Sequence, residues 1–316
     1  MANLGYIQVT RECNQECRFC SNPATDKNIS LKEAKKYINL YAAKGYDGVL
    51  LTGGEPTLHS DLEQIITYAV KKGIHCRIIT NAQKTSNFKY LNSLVHSGLH
   101  HMMISIYSHR DEIQGFLTNN KDSLLNIKKT LRNANKLNIT VDVITVINKY
   151  NAGHLTDIVR WITKDFVFIR HFIWNNLDPF MNRASKNRDT IPHLNDFELE
   201  LNNAMSFLHG CGRTFRVERV PLCYMSGFEH CSTETRKIVK QEERSIFFLD
   251  EKGYVTQKGR RGFLGYSKAE CCRVCSLNEI CAGLYAAGKY YAFAELYPLF
   301  ISREDIINKV NGYGKD

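Results

Sequence analysis

Short apolar runs alternate with amphipathic stretches through the first half of the chain. Apolar and polar residues alternate over Leu4–Thr10, which predicts a first strand. Ser30 and Glu33 then form a capping-box pattern, and apolar residues recur at helical spacing as far as Tyr41, which predicts a helix. The same unit repeats. Further strands are predicted at residues 47–52, 76–80, 102–107, 141–146 and 166–171, and further helices at 60–69, 89–97, 124–136 and 155–162.

Six strands that alternate with helices predict an α/β protein built from parallel βαβ units. In such sheets and barrels the chemistry lies at the carboxyl ends of the strands. Several polar or reactive segments follow predicted strand ends, and we expect them to meet at one face: the loop at residues 10–20, the turn at 53–56, Thr80-Asn81, Ser105 and Asn148.

The pattern changes after Trp174. Residues 175–192 are polar and rich in turn formers, which predicts a long loop or lid. A helix is predicted at 197–208, and short strands at 214–219 and 246–249, the second followed by a hairpin turn at 250–255. We expect a smaller C-terminal part that carries most of the remaining cysteines.

Length and composition narrow the class of protein. The chain has 316 residues with 43% hydrophobic content, which is enough for one large core or for one large and one small core. The N-terminus has no signal-peptide pattern, and no stretch reaches the ~20 apolar residues that span a bilayer. We therefore expect a cytoplasmic protein without a membrane partner.

The formal net charge of +10 would suit an acidic partner. The basic residues are scattered over predicted helices and the surface, and they form no dense stripe interleaved with aromatic residues. Solvated helix faces explain this charge better than a nucleic-acid surface does.

The eleven cysteines are clumped, and in a reducing cytosol they are better read as metal ligands or free thiols than as disulfides. Cys13, Cys17 and Cys20 have the spacing C-x3-C-x2-C, and three ligands in eight residues favour a metal centre. Their odd number leaves one coordination position open, as in an iron–sulfur cluster that binds a small molecule. A structural zinc site is the rival interpretation, but neither histidine nor cysteine lies between Cys20 and His59 to complete it.

The cysteine triplet, with Phe19 before its last member, and the turn Gly53-Gly54-Glu55-Pro56 together resemble the radical S-adenosylmethionine (SAM) superfamily. The resemblance covers residues 1–190 and implies a partial (β/α)6 TIM-like barrel. It implies that Cys13, Cys17 and Cys20 hold three irons of a 4Fe–4S cluster, whose fourth iron is chelated by the amino and carboxylate groups of SAM.

The resemblance also implies roles for the residues around SAM. Phe19 would pack near the adenine, Gly53 and Gly54 would let the backbone approach the methionine amino group, and Glu55 would place negative charge near it. By position, the residues that resemble those bonding the SAM carboxylate, ribose or adenine are Asn81, Ser105 and Asn148. The glycine pair alone also suits an ordinary turn, and Ser105 also suits a hydroxyl bonded to the backbone.

A second cysteine set lies at residues 272–281 with the form C-x2-C-x5-C-x-G, which is similar to the auxiliary-cluster segment of SPASM and Twitch domains. This resemblance implies an α+β domain at residues 191–316 that holds one auxiliary 4Fe–4S cluster. The full SPASM pattern has a further cysteine where this chain has Tyr285, so a shortened domain is expected. The predicted ligands are Cys223, Cys272, Cys275 and Cys281, with Cys231 and Cys271 as rivals for the first position and zinc as the rival metal.

What the resemblance implies for function is reductive cleavage of SAM to a 5′-deoxyadenosyl radical, which abstracts a hydrogen from a substrate. A flavodoxin or ferredoxin would supply the electron. A ribosomally made peptide that is crosslinked, oxidised or epimerised is the favoured substrate, and in an epimerase Cys223 or Cys231 would instead donate a hydrogen atom.

Because the first strand begins at Leu4, we expect the lid or the C-terminal part, not a preceding leader-binding domain, to recognise a peptide. A small molecule such as a cyclitol, nucleoside or cofactor precursor is the alternative substrate. A non-catalytic iron–sulfur sensor is a more distant alternative, and Glu55 with the polar strand ends argues against it.

Overall fold

A computed structural model describes residues 3–22, 25–180, 182–242, 244–260 and 263–312. Its strands are β1 Leu4–Thr10, β2 Gly48–Gly53, β3 His75–Thr80, β4 His101–Ser105, β5 Thr140–Ile147, β6 His171–Asn176, β7 Thr214–Glu218, β8 Arg244–Leu249, β9 Val255–Arg260, β10 Tyr266–Ser267 and β11 Leu284–Tyr285. Its helices are α1 Leu31–Ala43, α2 Leu62–Lys71, α3 Phe88–His96, α4 Asp111–Thr118, α5 Ser123–Lys136, α6 Leu155–Asp165, α7 Asn182–Lys186, α8 Leu194–Gly210, α9 Thr233–Lys240 and α10 Arg303–Gly312.

Nine of the strands form one sheet in the order β7-β6-β5-β4-β3-β2-β1-β8-β9. Strands β1 to β7 lie side by side in chain order, and each pairs parallel with the next. Helical crossovers make this arrangement possible, because a parallel neighbour cannot be reached by a tight turn. The α/β class and the partial TIM-like barrel predicted from the sequence are thus confirmed.

Helix α1 shows how local sequence sets an element of this fold. The Ser30 side chain accepts a hydrogen bond from the Glu33 backbone N–H at 3.2 Å, and the Glu33 carboxylate accepts one from the Ser30 N–H at 2.8 Å. This is the predicted capping box. The helix then buries Ile38 and Tyr41 against the sheet.

The structure differs from the sequence prediction between residues 166 and 176. The predicted strand at 166–171 is wrong, because residues 166–170 connect α6 to β6 and the strand begins at His171. Phe166 and Ile169 are buried in this connection while Val167 is 63% exposed, so a short apolar run rich in aromatic and β-branched residues, which is typical of a strand, occurs in a loop. Pairing with β5, in which His171 lies opposite Asp142, sets the true register. Elsewhere, the sequence pattern does not predict helix α4 at Asp111–Thr118.

Residues 175–192 contain more regular structure than the predicted lid. Asn175 and Asn176 belong to β6, and α7 lies within the remainder. The lid therefore comprises residues 177–192.

The strands predicted for the C-terminal part complete the main sheet. Strand β7 adds to β6, β8 pairs parallel with β1, and β9 forms the predicted hairpin with β8. The division at residue 190 stays a prediction, and the sheet continues across it. Only the short antiparallel pair β10–β11 lies outside the sheet among the named strands.

Within the described ranges, the helices are too short or too polar for any of them to cross a bilayer.

Candidate active site

The three N-terminal cysteines lie in the loop that leaves β1. Backbone hydrogen bonds fasten this loop to the end of α4, from the Glu16 N–H to the Thr118 carbonyl at 3.2 Å and from the Arg18 N–H to the Leu117 carbonyl at 2.9 Å. The Cys20 N–H donates to the Cys17 carbonyl at 3.1 Å. The loop is therefore held from outside, and its thiols need no role in maintaining its shape.

The turn after β2 lies directly against this loop. The Gly54 N–H donates to the Thr10 carbonyl at 2.8 Å, and the Glu55 N–H donates to the Glu12 carbonyl at 2.7 Å. A Cβ at Gly53 would lie 2.1 Å from the Thr10 carbonyl oxygen, and one at Gly54 would lie 2.1 Å from the Glu12 carbonyl oxygen. Gly53 also has a φ of +133°. Both positions therefore require glycine for close backbone approach.

The Glu55 carboxylate is buried and surrounded by donors. One oxygen accepts from the Thr57 N–H at 3.1 Å and from the Thr57 and Thr80 hydroxyls at 2.7 Å each. The other accepts from the Asn81 N–H at 2.6 Å. Burial raises the pKa of Glu55, and the four donors oppose that rise. Glu55 thus fastens the ends of β2 and β3 together beside the cysteine loop.

These elements line a partly open cavity at the carboxyl ends of the strands. The predicted site residues that line it are Cys13, Cys17, Cys20, Gly53, Gly54, Glu55, Asn81 and Ser105. The convergence expected from strand-end positions is present, with the amide nitrogen of Asn81 3.8 Å from the Cys13 sulfur.

Two predicted residues lie outside this lining. Phe19 is buried and packs edge to face on Tyr107, with ring centroids 4.7 Å apart. Asn148 is fully buried, and its side chain bonds the Val146 carbonyl and the Tyr150 N–H at 3.0 Å each. Their roles toward SAM stay predictions, and the contacts of Asn148 are those of a turn residue.

The cavity also contains residues that the sequence did not single out: Arg11, Gln15, Asn22, Tyr107 and Arg183. Gln15 and Asn22 could have been predicted because they belong to the cysteine loop. Tyr107 could have been predicted because it lies two residues beyond Ser105. No sequence signal marks Arg183, because it reaches the cavity from α7 on the lid.

The lid covers the cysteine loop through polar contacts. The Arg183 guanidinium donates from Nε to the Cys17 carbonyl at 2.9 Å, and the Asn187 amide donates to the Arg18 carbonyl at 2.9 Å. The Ala184 N–H donates to the Cys20 carbonyl at 3.3 Å. These contacts place the Arg183 side chain in the wall of a cavity that Arg11, the three thiols and Glu55 also line.

Burial disfavours the thiolate forms of the metal-free site. It raises the pKa of Cys13 to about 11 and that of Cys17 well above its usual range, while the Arg183 charge opposes both rises. Because only the thiolate binds a metal, loading this site must release protons.

The C-terminal cysteines form a second group. Cys223, Cys272, Cys275 and Cys281 line one small cavity. Burial raises the pKa of Cys223 to about 12 and raises the pKa of Cys281. These are the four ligands predicted from the sequence, although Cys223 is 49 residues before Cys272 along the chain.

Backbone donors point at two of these sulfurs. The Gly283 N–H lies 3.3 Å from the Cys281 sulfur, and the Leu299 N–H lies 3.4 Å from the Cys275 sulfur. The rivals Cys231 and Cys271 do not line this cavity. The Cys271 thiol instead lies 3.4 Å from the Leu296 carbonyl.

Among the described residues, no three histidine, cysteine or acidic side chains converge closely enough to hold a single metal ion. In a 4Fe–4S cluster each thiolate binds a different iron, so its ligands lie farther apart than those of one ion. N–H donors to cysteine sulfur are also among the features that tune such clusters. Both cysteine-lined cavities therefore fit iron–sulfur clusters in their donor sets.

Comparison with known proteins agrees with this chemistry. Residues 7–162 match the model of the radical SAM superfamily. The chain is 30% identical over 174 residues to the GTP 3′,8-cyclase of Aquifex aeolicus, covering 52% of this chain and 54% of that protein. It is 28% identical over 162 residues to the PqqA peptide cyclase of Bradyrhizobium diazoefficiens, covering 49% of this chain and 41% of that protein. The chain thus spans about half the length of these relatives.

A solved structure resembles the whole chain. Native anSMEcpe with bound AdoMet and Kp18Cys peptide superimposes with a TM-score of 0.62 at 17% identity, covering 98% of this chain and 96% of that one. At this identity the likeness shows the fold alone. The match to the family model identifies residues 7–162 as a radical SAM domain, and the superfamily implies a 4Fe–4S cluster and SAM as its cofactors.

Proposed function

We propose that this chain is a radical SAM enzyme in which Cys13, Cys17 and Cys20 hold a 4Fe–4S cluster and SAM occupies the cavity beside them. The observation that carries the proposal is the shared lining: three thiols, the glycine pair and the polar strand ends surround one cavity. Together these cofactors supply radical chemistry, in which reductive cleavage of SAM yields a 5′-deoxyadenosyl radical that abstracts a hydrogen atom from the substrate.

The protein itself would bind and orient SAM and the substrate, and it would exclude water from the site. Gly53 and Gly54 let the turn after β2 pack against the backbone of the cysteine loop at the edge of this cavity, and Asn81 and Ser105 offer polar groups for a carboxylate or a ribose. The lid, fastened by Arg183, shields the loop from solvent, which protects a reactive radical from side reactions. A flavodoxin or ferredoxin is the proposed electron donor.

Anaerobic incubation with SAM and dithionite tests the proposal without a known substrate. The unaltered protein should release 5′-deoxyadenosine, and the triple variant C13A/C17A/C20A should not. C211A is the matched control, because Cys211 is an exposed cysteine outside both cavities, and it should retain the product. Equal release by the triple variant and the unaltered protein would overturn the enzyme proposal.

A second, auxiliary iron–sulfur cluster at Cys223, Cys272, Cys275 and Cys281 is part of the same proposal. Its support is their common cavity and the backbone donors to two of the sulfurs. In the C13A/C17A/C20A background, iron content should stay near four per chain. The iron content should fall by at least half when C223A is added, whereas C231A or C271A should leave it unchanged. Zinc in place of iron after purification would contradict this part of the proposal.

A ribosomally made peptide is the proposed substrate. The support is the PqqA peptide cyclase among the relatives and the likeness over nearly the whole chain to a structure that contains a peptide. The lid and the aromatic side chains beside it would contact such a peptide. Phe180 is 37% exposed, and its ring centroid lies 5.4 Å from that of Tyr285 and 5.5 Å from that of Tyr290.

A small molecule is the second candidate, because the GTP 3′,8-cyclase is among the relatives. The rate of 5′-deoxyadenosine release separates the two. Peptides encoded beside the gene should raise this rate above the substrate-free value, and GTP and CTP should not. Stimulation by a nucleotide alone would replace the peptide with the small-molecule alternative.

A further inference from the structure

Arg11 is a buried cation at the wall of the cysteine-lined cavity. It follows β1 directly and has no exposed surface. Its Nε donates to the Leu249 carbonyl at 2.5 Å, its Nη1 to the Asn22 side-chain oxygen at 2.8 Å, and its Nη2 to the Gln8 side-chain oxygen at 3.0 Å. Its guanidinium carbon lies 4.8 Å from the centre of the Phe248 ring. Every one of these partners is electrically neutral.

Among the described residues no carboxylate forms an ion pair with this arginine: burial lowers the pKa of Arg11, and the charges of Cys20, Asp250 and Glu251 only partly oppose that fall. None of the ion pairs within the described ranges involves Arg11. The acidic residues next to Leu249 are Asp250 and Glu251. Asp250 accepts the N–H groups of the hairpin turn at 2.8 Å, and Glu251 is exposed. A buried charge is costly unless a charge of opposite sign accompanies it, so the missing partner needs an explanation.

The position of Arg11 indicates where that partner belongs. Arg11 lines the cavity together with Cys13, Cys17 and Cys20. It is linked to Cys20 through Asn22, whose side chain accepts from Arg11 and whose carbonyl lies 3.5 Å from the Cys20 sulfur. A cluster held by three thiolates carries net negative charge, and reduction makes it more negative. Net charge and hydrogen bonding are among the factors that set the potential of such a cluster.

We propose that the iron–sulfur cluster on Cys13, Cys17 and Cys20 is the counter-charge of Arg11, and that the buried guanidinium raises the reduction potential of this cluster. Arg11 is then a positioning residue that makes electron uptake easier without touching the substrate. This rests on the proposed function, because it requires a cluster at these cysteines. The β8–β9 hairpin, which supplies the Leu249 carbonyl, takes part by holding the guanidinium in place.

The test is an EPR-monitored redox titration of the reconstituted full chain without SAM. The N-terminal cluster is identified as the signal that C13A/C17A/C20A lacks and that SAM alters. R11M removes the charge at similar length. Q8E is nearly isosteric, keeps both acceptor contacts of Gln8, to Arg11 at 3.0 Å and to the Leu249 N–H at 3.1 Å, and gives the guanidinium a carboxylate inside the protein.

Both R11M and Q8E should lower the equilibrium constant for reduction at least tenfold, which is 59 mV for a one-electron couple. R11K keeps the charge and should shift the constant less than half as far on a logarithmic scale. R18M is the matched control, since Arg18 neighbours Cys17 in sequence but lies over the Phe116 ring at 4.1 Å and is partly exposed, where solvent screens its charge.

Several results would overturn the proposal. If Q8E binds its full iron and its equilibrium constant for reduction stays within threefold of that of the unaltered protein, the field of Arg11 does not reach the cluster. This conclusion holds whether or not R11M folds. If R11K shifts the reduction potential as far as R11M does, the hydrogen bonds of the guanidinium set the potential of the cluster and its charge does not. If SAM binding weakens in R11M while the potential without SAM is unchanged, the partner is the SAM carboxylate. Absence of any SAM-responsive signal in the unaltered protein overturns the proposed function as well.

Discussion

Replacement of Glu55 by glutamine is the sharpest test of how this site is built. All four groups around the carboxylate donate to it: the N–H and hydroxyl of Thr57, the Thr80 hydroxyl and the Asn81 N–H. The hydroxyls can rotate to accept from an amide, whereas the two backbone N–H groups cannot. One N–H points at each oxygen, so either orientation of the glutamine amide leaves one buried N–H facing an NH2 group.

The size of the effect follows from these contacts. An unpaired buried donor costs about 1–3 kcal/mol, and loss of charge assistance in the remaining bonds adds roughly 1 kcal/mol. Burial raises the pKa of Glu55, so its negative charge is costly to bury, and removing that charge regains roughly 1 kcal/mol. We therefore expect E55Q to lower the free energy of unfolding by about 2 kcal/mol, which corresponds to a fall in Tm of roughly 3 °C for a chain of this length.

Urea unfolding of the metal-free protein at pH 7.5, followed by circular dichroism, measures this difference. E63Q is the matched control, because Glu63 is an exposed glutamate of α2, and it should stay within about 0.5 kcal/mol of the unaltered protein. Amide hydrogen exchange should also quicken at Thr57 or Asn81 in E55Q alone. Equal stability of E55Q and E63Q, with unchanged exchange at both amides, would refute the account of Glu55 as the fastener of the two strand ends.

Three further substitutions probe the loop, the acid response and the junction of α1 with the sheet. G54A should at least halve the iron bound by the N-terminal cysteines, because its Cβ would lie 2.1 Å from a carbonyl oxygen of the cysteine loop, whereas G210A meets no atom within 4 Å and should leave iron content unchanged. Burial lowers the pKa of His154 to about 4, so the unfolded chain takes up a proton near pH 6.5 that the folded protein excludes. The free energy of unfolding should therefore fall by up to about 3 kcal/mol as the pH drops from 6.5 towards 4. Tm measured at pH 7.5 and at pH 5 checks this, and the fall in Tm between the two should be smaller in H154Q than in the unaltered protein. Y41F removes a buried hydroxyl that bonds a β1 carbonyl at 3.1 Å and should cost about 1 kcal/mol in urea unfolding, with a loss above 3 kcal/mol contradicting a purely local role.

Local patterns predicted the strands and helices well where each element is long and bounded by its own signals. Strand β1 begins and ends where the alternation does, and α1 begins at its capping box. The same reasoning failed at residues 166–171, because a short run of apolar residues also suits a loop that packs Phe166 and Ile169 inward. Pairing with β5 decides that register, and a pairing partner cannot be read from the strand itself.

The cysteine positions show the same division. The spacings of Cys13, Cys17 and Cys20 and of Cys272, Cys275 and Cys281 indicate metal ligands, because neighbours in sequence are necessarily neighbours in space. The choice among Cys223, Cys231 and Cys271 for a fourth position needs the fold, which brings only the first of them to the cavity lined by the other three.

What the sequence by itself determined is therefore the set of local units: the strands, the helices, the cysteine spacings and the glycine turn. Tertiary structure alone decided which distant segments complete each site. Leu249 is 238 residues from the Arg11 it binds, and Arg183 is 166 residues from the Cys17 carbonyl. Such contacts leave no periodic signal, because they depend on where whole strands and the lid pack, and a single side chain carries too little of that packing energy to reveal it.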